Sequence, residues 1–189
     1  DRSPGEFYQL DMEMAFADQD DVFAVLEDVL PPIFAQYGTY NTASTAPFRR
    51  ISYLDAMETY GSDKPDLRID LTVQDATALM ADCGFQPFEE KVVKAVVVSD
   101  FEGTRKQIDK LCADVEVQSG EKAYWFRYDD KGEIVGGISK FVQPIQDAVV
   151  SALKLEKGCF VGLTAGKKLT AQKTAGVLRS KLGNFCPNH

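Results

Sequence analysis

The amino end of the chain alternates between apolar and polar side chains, which is the pattern of a β-strand with two different faces. Over residues 6–16, one face would be apolar and could pack on a core. The other face would carry an aromatic ring, an amide and two carboxylates, from Phe7, Gln9, Asp11 and Glu13. Such a face can be simply solvated or can form the floor of a binding site, and the pattern alone favours the solvated face.

A helix is predicted next. Three aspartates between residues 18 and 21 precede apolar residues at helical spacing, and carboxylates stabilise the exposed N–H groups at a helix N-terminus. The adjacent prolines Pro31 and Pro32 are expected to disturb or split this helix, because proline lacks an N–H and its ring clashes with the preceding turn. The apolar spacing continues beyond them as far as Gly38.

The rest of the chain mixes strand and helix patterns. Ser52 and Asp55 predict a capped helix that ends at Tyr60, and a turn-rich loop follows over residues 61–66. The further predicted elements are a helix from Thr72 or Gln74 to about Gly84, a strand 92–98, a helix capped by Thr104, hairpin strands 123–128 and 133–138, a helix 144–155, a strand 159–163 and a helix 168–182. This mixture predicts an α+β fold.

Composition narrows the function classes. The chain is 44% hydrophobic and 26% charged, with a formal net charge of −8, and it lacks the basic surplus typical of broad nucleic-acid-binding surfaces, although a local basic patch can work inside an acidic protein. The four cysteines are far apart, so we expect reduced, buried thiols in a cytoplasmic protein. No apolar run is long enough for a membrane span, and the polar amino end is not a signal peptide.

Several chemistries are disfavoured by the motifs present. The single histidine, His189, is the last residue, which argues against a placed imidazole in a nucleophilic site, and with Cys186 it makes at most half a zinc site. Residues 162–168 approach a P-loop, but the glycine spacing is one residue short and no Ser or Thr follows Lys167. The aromatic run 124–128 could stack on RNA bases, but a core strand is favoured.

Three ordered blocks resemble bacterial-type aspartyl-tRNA synthetases of class II. Residues 1–13, DRSPGEFYQLDME, resemble the loop and second strand of motif 2, and residues 47–53, PFRRISY, and 60–68, YGSDKPDLR, resemble two further blocks. Residues 69–189 resemble the inserted GAD domain of that family, with landmarks at 104–109, 137–141 and 174–179. The resemblance implies a partial class II catalytic core with an antiparallel sheet at 1–68 and an α/β GAD insertion domain at 69–189.

The resemblance also implies an activity. Such enzymes join L-aspartate to ATP, with Mg²⁺, and pass the aspartyl group from the adenylate to tRNA. Phe7 would stack on adenine, and Ser3 would also contact ATP. Gln9 and Asp11 would bind L-aspartate, and Arg2 would approach the tRNA acceptor end. The implied parent enzyme is a cytoplasmic homodimer that needs neither a membrane nor a tightly bound cofactor.

The chain departs from the family pattern at a few positions. Ser3 stands where many relatives have glutamine, Gly5 separates Pro4 from Glu6, and Cys159 replaces a common aspartate. The resemblance places the motif 2 arginine, motifs 1 and 3 and the anticodon-binding barrel outside these residues. No catalytic set is therefore complete here, no metal site is expected, and we expect the chain alone to be inactive in aminoacylation.

A second hypothesis stays open at this point. GAD domains also occur in the B-type subunits of tRNA-dependent amidotransferases, so the chain could be a non-catalytic module for RNA contact or packing. Residues 1–68 discriminate between the two hypotheses, because the amidotransferase subunit has no motif 2 strand. Five basic residues of the second segment could cluster if the neighbouring strand and helix pack side by side, but a solvated face is favoured; they are Lys91, Lys94, Arg105, Lys106 and Lys110.

Overall fold

The computed structural model describes residues 5–38 and 45–186. The chain divides by packing into two compact units, residues 1–50 and residues 51–189. The fold is α+β, as the sequence predicts. None of the described helices is both long and apolar enough to cross a membrane.

The first unit is built on helix α1, Gln19–Tyr37. Asp18 caps it by accepting hydrogen bonds from the N–H groups of Asp20 and Asp21, and the Asp21 carboxylate accepts from the N–H of Asp18. The predicted helix is thus confirmed. The prolines are expected to disturb or split it, and the split is wrong, because α1 runs through both prolines. Each proline removes one hydrogen bond but keeps φ near the helical value, so a helix can continue past it.

The strand predicted over residues 6–16 is not formed, and this corrects the sequence-based expectation. Residues 7–14 have no regular secondary structure and are exposed. A strand is stabilised by the hydrogen-bond ladder of a neighbouring strand, and every ladder in the described part of the chain belongs to strands of the second unit. Alternation of side chains therefore does not fix the local structure by itself.

The second unit contains one sheet of five antiparallel strands in the order β1-β2-β5-β3-β4. The strands are β1 Val73–Asp75, β2 Val92–Val98, β3 Ala123–Tyr128, β4 Ile134–Val135 and β5 Cys159–Gly166. The helices are α2 Tyr53–Tyr60, α3 Thr77–Met80, α4 Arg105–Ser119, α5 Ser139–Val142, α6 Gln146–Ala152 and α7 Lys168–Leu182. Short 3₁₀ turns occupy Gln86–Phe88, Gln143–Ile145 and Gly183–Phe185.

Both faces of the sheet are buried. On β2, Val93 and Ala95 belong to a core that includes residues of α3, α5 and α6, whereas Val96 and Val98 belong to a second core beneath α4 and α7. This two-sided burial explains why β2 is mostly valine rather than an alternation of apolar and polar residues. The near-P-loop residues lie mostly within β5, so no phosphate-binding loop is formed there.

Most predicted elements of this unit are confirmed. Thr104 caps α4 in a capping box with Gln107, and α7 has the predicted bounds. The helix predicted to begin at Thr72 or Gln74 is wrong at its start, because residues 73–75 pair with β2 as a strand. Only the single turn α3 remains helical, since the edge of β2 provides a ladder that local propensity cannot anticipate.

Packing divides the chain before residue 51, whereas the sequence places the domain boundary after residue 68. Ala56, Met57 and Tyr60 of α2 are buried within the second unit. The boundary between a catalytic core and an insertion domain stays a prediction.

Candidate functional site

The residues predicted to bind ATP and L-aspartate lie in the exposed segment before α1. Phe7 is 70% exposed, and Gln9 and Asp11 are exposed as well. The segment neither buries these side chains nor places them on a helix. Arg2 and Ser3, predicted for the tRNA acceptor end and for ATP, lie outside the described residues. The roles of all five residues therefore stay predictions.

The apolar residues of the same segment are exposed too, namely Tyr8, Leu10, Met12 and Met14. A strand with one face on a core would bury these residues and leave the polar face open. The shared face of Phe7, Gln9 and Asp11 requires a flat, pleated backbone. The described residues supply no neighbouring strand for this segment, so Phe7, Gln9 and Asp11 are not held on one face of a sheet.

The second unit contains a buried lysine that the sequence interpretation placed on a solvated face. Lys94 lies in the middle of β2 and is 1% exposed. Its ammonium donates hydrogen bonds to Glu58 of α2 and, at 2.8 Å, to Asp75 of β1. The expectation of a solvated face is wrong for Lys94, and its place inside the run VVKAVVV was the signal for burial.

Lys94 and its two carboxylate partners shift one another's pKa toward the ionised form. The hydrogen bond from Lys94 lowers the pKa of Glu58. Burial alone would raise the pKa of Asp75, but hydrogen bonds from Lys94 and Thr77 outweigh it and lower that pKa. Burial alone would lower the pKa of Lys94, but its bonds and charge interactions with the two carboxylates raise it. All three groups are therefore ionised at neutral pH.

A second helix, α7, joins this cluster. The side-chain amide of Gln172 in α7 donates to the second carboxylate oxygen of Glu58 at 2.7 Å. The Lys94 cluster, which we define as Glu58, Asp75, Lys94 and Gln172, thus connects α2, β1, β2 and α7. The carboxylates of Glu58 and Asp75 remain 44% and 53% exposed, so water reaches the acidic side of the cluster.

A second buried cation lies further along α7. Arg179 is 2% exposed, and its guanidinium donates to the backbone carbonyls of Leu71 at 2.5 Å, Ile69 at 2.7 Å and Asp66 at 3.0 Å. It also lies 5.0 Å from the centre of the Tyr60 ring. Burial lowers the pKa of Arg179, but an arginine stays protonated in proteins. The sequence interpretation did not single out this residue.

The loop after α2 passes directly against α7. Gly61 ends α2 with a left-handed backbone, φ 68°. A Cβ atom at Gly61 would overlap the carbonyl of Gln172 and the N–H of Gly176, and one at Gly176 would overlap the carbonyl of Gly61. Only glycine fits at both positions of this crossing.

A cleft of about 400 Å³ opens between this loop and α7. Its polar lining includes Ser62, Asp63, Lys64, Gln118, Lys173 and Ser180. Asp63 and Lys64 pair with each other at 2.9 Å. Asp66, Lys173 and Arg179 also line the cleft, so its lining carries three cationic and two acidic side chains. No cluster of histidine, cysteine and acidic residues able to hold a metal ion occurs within residues 5–38 and 45–186.

Comparisons with known proteins match both units. The family model for class II tRNA synthetases (D, K and N) matches residues 1–175. The aspartate–tRNA(Asp/Asn) ligase of Paramagnetospirillum magneticum is 39% identical over 97% of the chain, and the aspartate–tRNA ligase of Streptomyces avermitilis is 40% identical over 100%. The aspartate–tRNA(Asp/Asn) ligase of Rickettsia felis is 35% identical over 97%.

The matched regions are only part of those relatives. The chain spans 22% of the Paramagnetospirillum protein, 33% of the Streptomyces protein and 32% of the Rickettsia protein. The likeness therefore concerns one segment of a longer enzyme in each relative, and it includes both the segment before α1 and the five-stranded sheet.

Proposed function

Because this chain belongs to the class II tRNA synthetase family (D, K and N), we propose that it is a segment of an aspartate–tRNA ligase. The observation that carries the proposal is the identity of 35–40% with aspartate–tRNA ligases over 97% or more of the chain. Those matches cover residues 1–68 as well as the sheet, which a free-standing GAD module would not require. The non-catalytic hypothesis is therefore not favoured.

The parent enzyme would activate L-aspartate with ATP and Mg²⁺ to aspartyl-adenylate and pyrophosphate, and then transfer the aspartyl group to tRNA. Phe7 would stack on the adenine ring, which offers a flat π surface. The Asp11 carboxylate would bind the ammonium of L-aspartate through a charge-assisted hydrogen bond, and Gln9 would line the same pocket. Ser3 would contact ATP, and Arg2 would approach the acceptor end of tRNA.

These roles require the segment before α1 to join a sheet. Only in a strand do positions 7, 9 and 11 project from one face while positions 8, 10 and 12 project from the other. Both sets of side chains are exposed in the described structure, so the apolar set is free to be covered and the polar set is free to face a ligand.

The chain by itself is expected to be inactive. Displacement at the α-phosphate of ATP needs cations that stabilise the developing charge, and among the proposed site residues only Arg2 is cationic. We propose that the remaining cations, and a homodimer interface, come from parts of a cytoplasmic parent enzyme outside these 189 residues.

A chimera tests the proposal. The matching segment of the Streptomyces avermitilis aspartate–tRNA ligase would be replaced by this chain, and aspartate-dependent ATP–pyrophosphate exchange would be measured. We expect an active chimera, and we expect Asp11→Asn to lower kcat/KM for aspartate by about tenfold to a hundredfold through loss of the charged bond. Asp28→Asn on exposed α1 is the matched control and should leave exchange unchanged.

Two outcomes would contradict the proposal. A chimera that folds and binds ATP but shows no aspartate-dependent exchange would refute the assignment. Exchange by the 189-residue chain alone would refute the expectation that it is incomplete. Charging of tRNA-Asp and tRNA-Asn transcripts by the active chimera would then show whether one or both tRNAs are substrates.

A further inference from the structure

Residues 53–71 are attached to the sheet of the second unit at several points. Met57 and Tyr60 of α2 are buried, as are Ile69 and Leu71 after the loop. This stretch includes the block YGSDKPDLR, which by resemblance ends the catalytic core. A flexible joint after residue 68 would be expected to leave it free of the inserted domain, and the packing shows the opposite.

The Lys94 cluster fixes the first half of this stretch. An ammonium removed from water needs charged or hydrogen-bonding partners, because an unpaired buried charge is strongly destabilising. Two of its hydrogen bonds go to Glu58 and Asp75, so separation of α2 from the sheet would remove one of its two carboxylates. The side-chain amide of Gln172 then holds Glu58 from the α7 side.

Arg179 fixes the second half. Its guanidinium donates hydrogen bonds to the backbone carbonyls of Asp66, Ile69 and Leu71. A planar fork that spans three carbonyls sets the path of the backbone, which a single ammonium cannot do. The glycine crossing of Gly61 and Gly176 lies between the two attachment points and allows direct backbone contact.

We propose that Lys94 of β2 and Arg179 of α7 are anchoring residues that fasten residues 53–71 to the five-stranded sheet and to α7, so that the YGSDKPDLR block, α7 and the sheet move as one rigid body. The consequence for the enzyme rests on the proposed function: the inserted domain would set the position of the end of the catalytic core. The joint that permits relative motion would then lie before residue 53 rather than after residue 68.

Hydrogen–deuterium exchange of the full 189-residue chain tests this attachment. Lys94→Met keeps the apolar stem and removes the ammonium, and the half-exposed carboxylates can then be hydrated. We expect backbone amides of residues 53–60 to exchange about tenfold faster or more, while amides of β5 residues 160–163 keep their rates. Lys106→Met, at an exposed lysine of α4, is the matched control and should change neither region.

Two further variants distinguish a local loss of attachment from a general loss of stability. Glu58→Gln should accelerate exchange in α2, and adding it to Lys94→Met should give less than the product of the two single effects, because both remove the same bond. Arg179→Lys keeps the charge but not the fork, and it should accelerate exchange at residues 66–71 alone. Uniform acceleration across all strands, or no acceleration at residues 53–71, would overturn the proposal.

This experiment is independent of the proposed activity. It uses no ligand, so a chimera that lacks pyrophosphate exchange would refute the enzyme assignment and leave the anchoring intact. The anchoring alone would be refuted if the chimera is active but Lys94→Met and Arg179→Lys leave hydrogen–deuterium exchange at residues 53–71 unchanged.

Discussion

Lys94 shows how a charge is accommodated within a β-sheet. Its side chain is 1% exposed, and its ammonium binds the carboxylates of Glu58 and Asp75, which are 44% and 53% exposed. A buried ion pair contributes little net stability because desolvation offsets the attraction, but it penalises arrangements that leave the charge unpaired. The main effect of Lys94 is therefore on which elements can lie beside β2.

Gly61 and Gly176 impose a steric requirement at the same interface. We expect Gly61→Ala to lower the free energy of unfolding by roughly 3 kcal/mol or more, from about 1 kcal/mol for a left-handed alanine and the rest from overlap with α7. Urea unfolding would measure this difference.

Gly120→Ala is the matched control for that substitution. Gly120 is also left-handed, φ 76°, but a Cβ there meets nothing within 4 Å. Its cost should be about 1 kcal/mol. Equal costs for the two substitutions would show that the crossing with Gly176 imposes no steric demand.

At the scale of elements, local signals suffice where the chain carries its own caps. Asp18, Ser52 and Thr104 each precede a helix and accept a backbone hydrogen bond from it. The residues alone predict the caps Ser52 and Thr104, and they predict that a helix follows the aspartates between residues 18 and 21. Residues 73–75 lack such a signal, and they become a strand because β2 lies beside them. Elements that depend on a distant neighbour cannot be predicted from a local window.

The cap of α4 provides a test at this scale. Thr104→Ala removes the hydroxyl that accepts from the N–H of Gln107, and it should lower the free energy of unfolding by about 1 kcal/mol. Thr104→Ser keeps the hydroxyl and should stay within about 0.5 kcal/mol of the native chain. Thermal unfolding followed by circular dichroism would compare them, and equal losses for both variants would contradict a capping role.

At the scale of the whole molecule, the two units differ in how much they bury. Helix α1 has no buried residue, whereas the second unit has a core on each face of its sheet. Arg50 pairs with Asp20 at 2.6 Å, and its guanidinium lies 4.8 Å from the Phe23 ring centre, but these contacts are on the surface. Surface ion pairs contribute little stability.

Limited proteolysis should separate the two units. Because cleavage follows local opening, we expect a protease of broad specificity to cut first within residues 5–50 and to leave a resistant fragment that begins near residue 51. Mass spectrometry of the fragments would identify the cuts. Early cleavage within residues 53–71 would contradict both this prediction and the anchoring of that stretch.

The sequence by itself determined the family, the α+β class and most helices and strands of the second unit, because those depend on local spacing, caps and ordered blocks of residues. Tertiary structure alone decided that residues 73–75 form a strand, that Lys94 is buried and that residues 53–71 belong with the sheet. Each of these depends on groups far apart in the chain, such as Glu58 and Lys94 or Ile69 and Arg179. The shared face predicted for Phe7, Gln9 and Asp11 also depends on distant residues, because a pleated strand forms only beside a neighbouring strand.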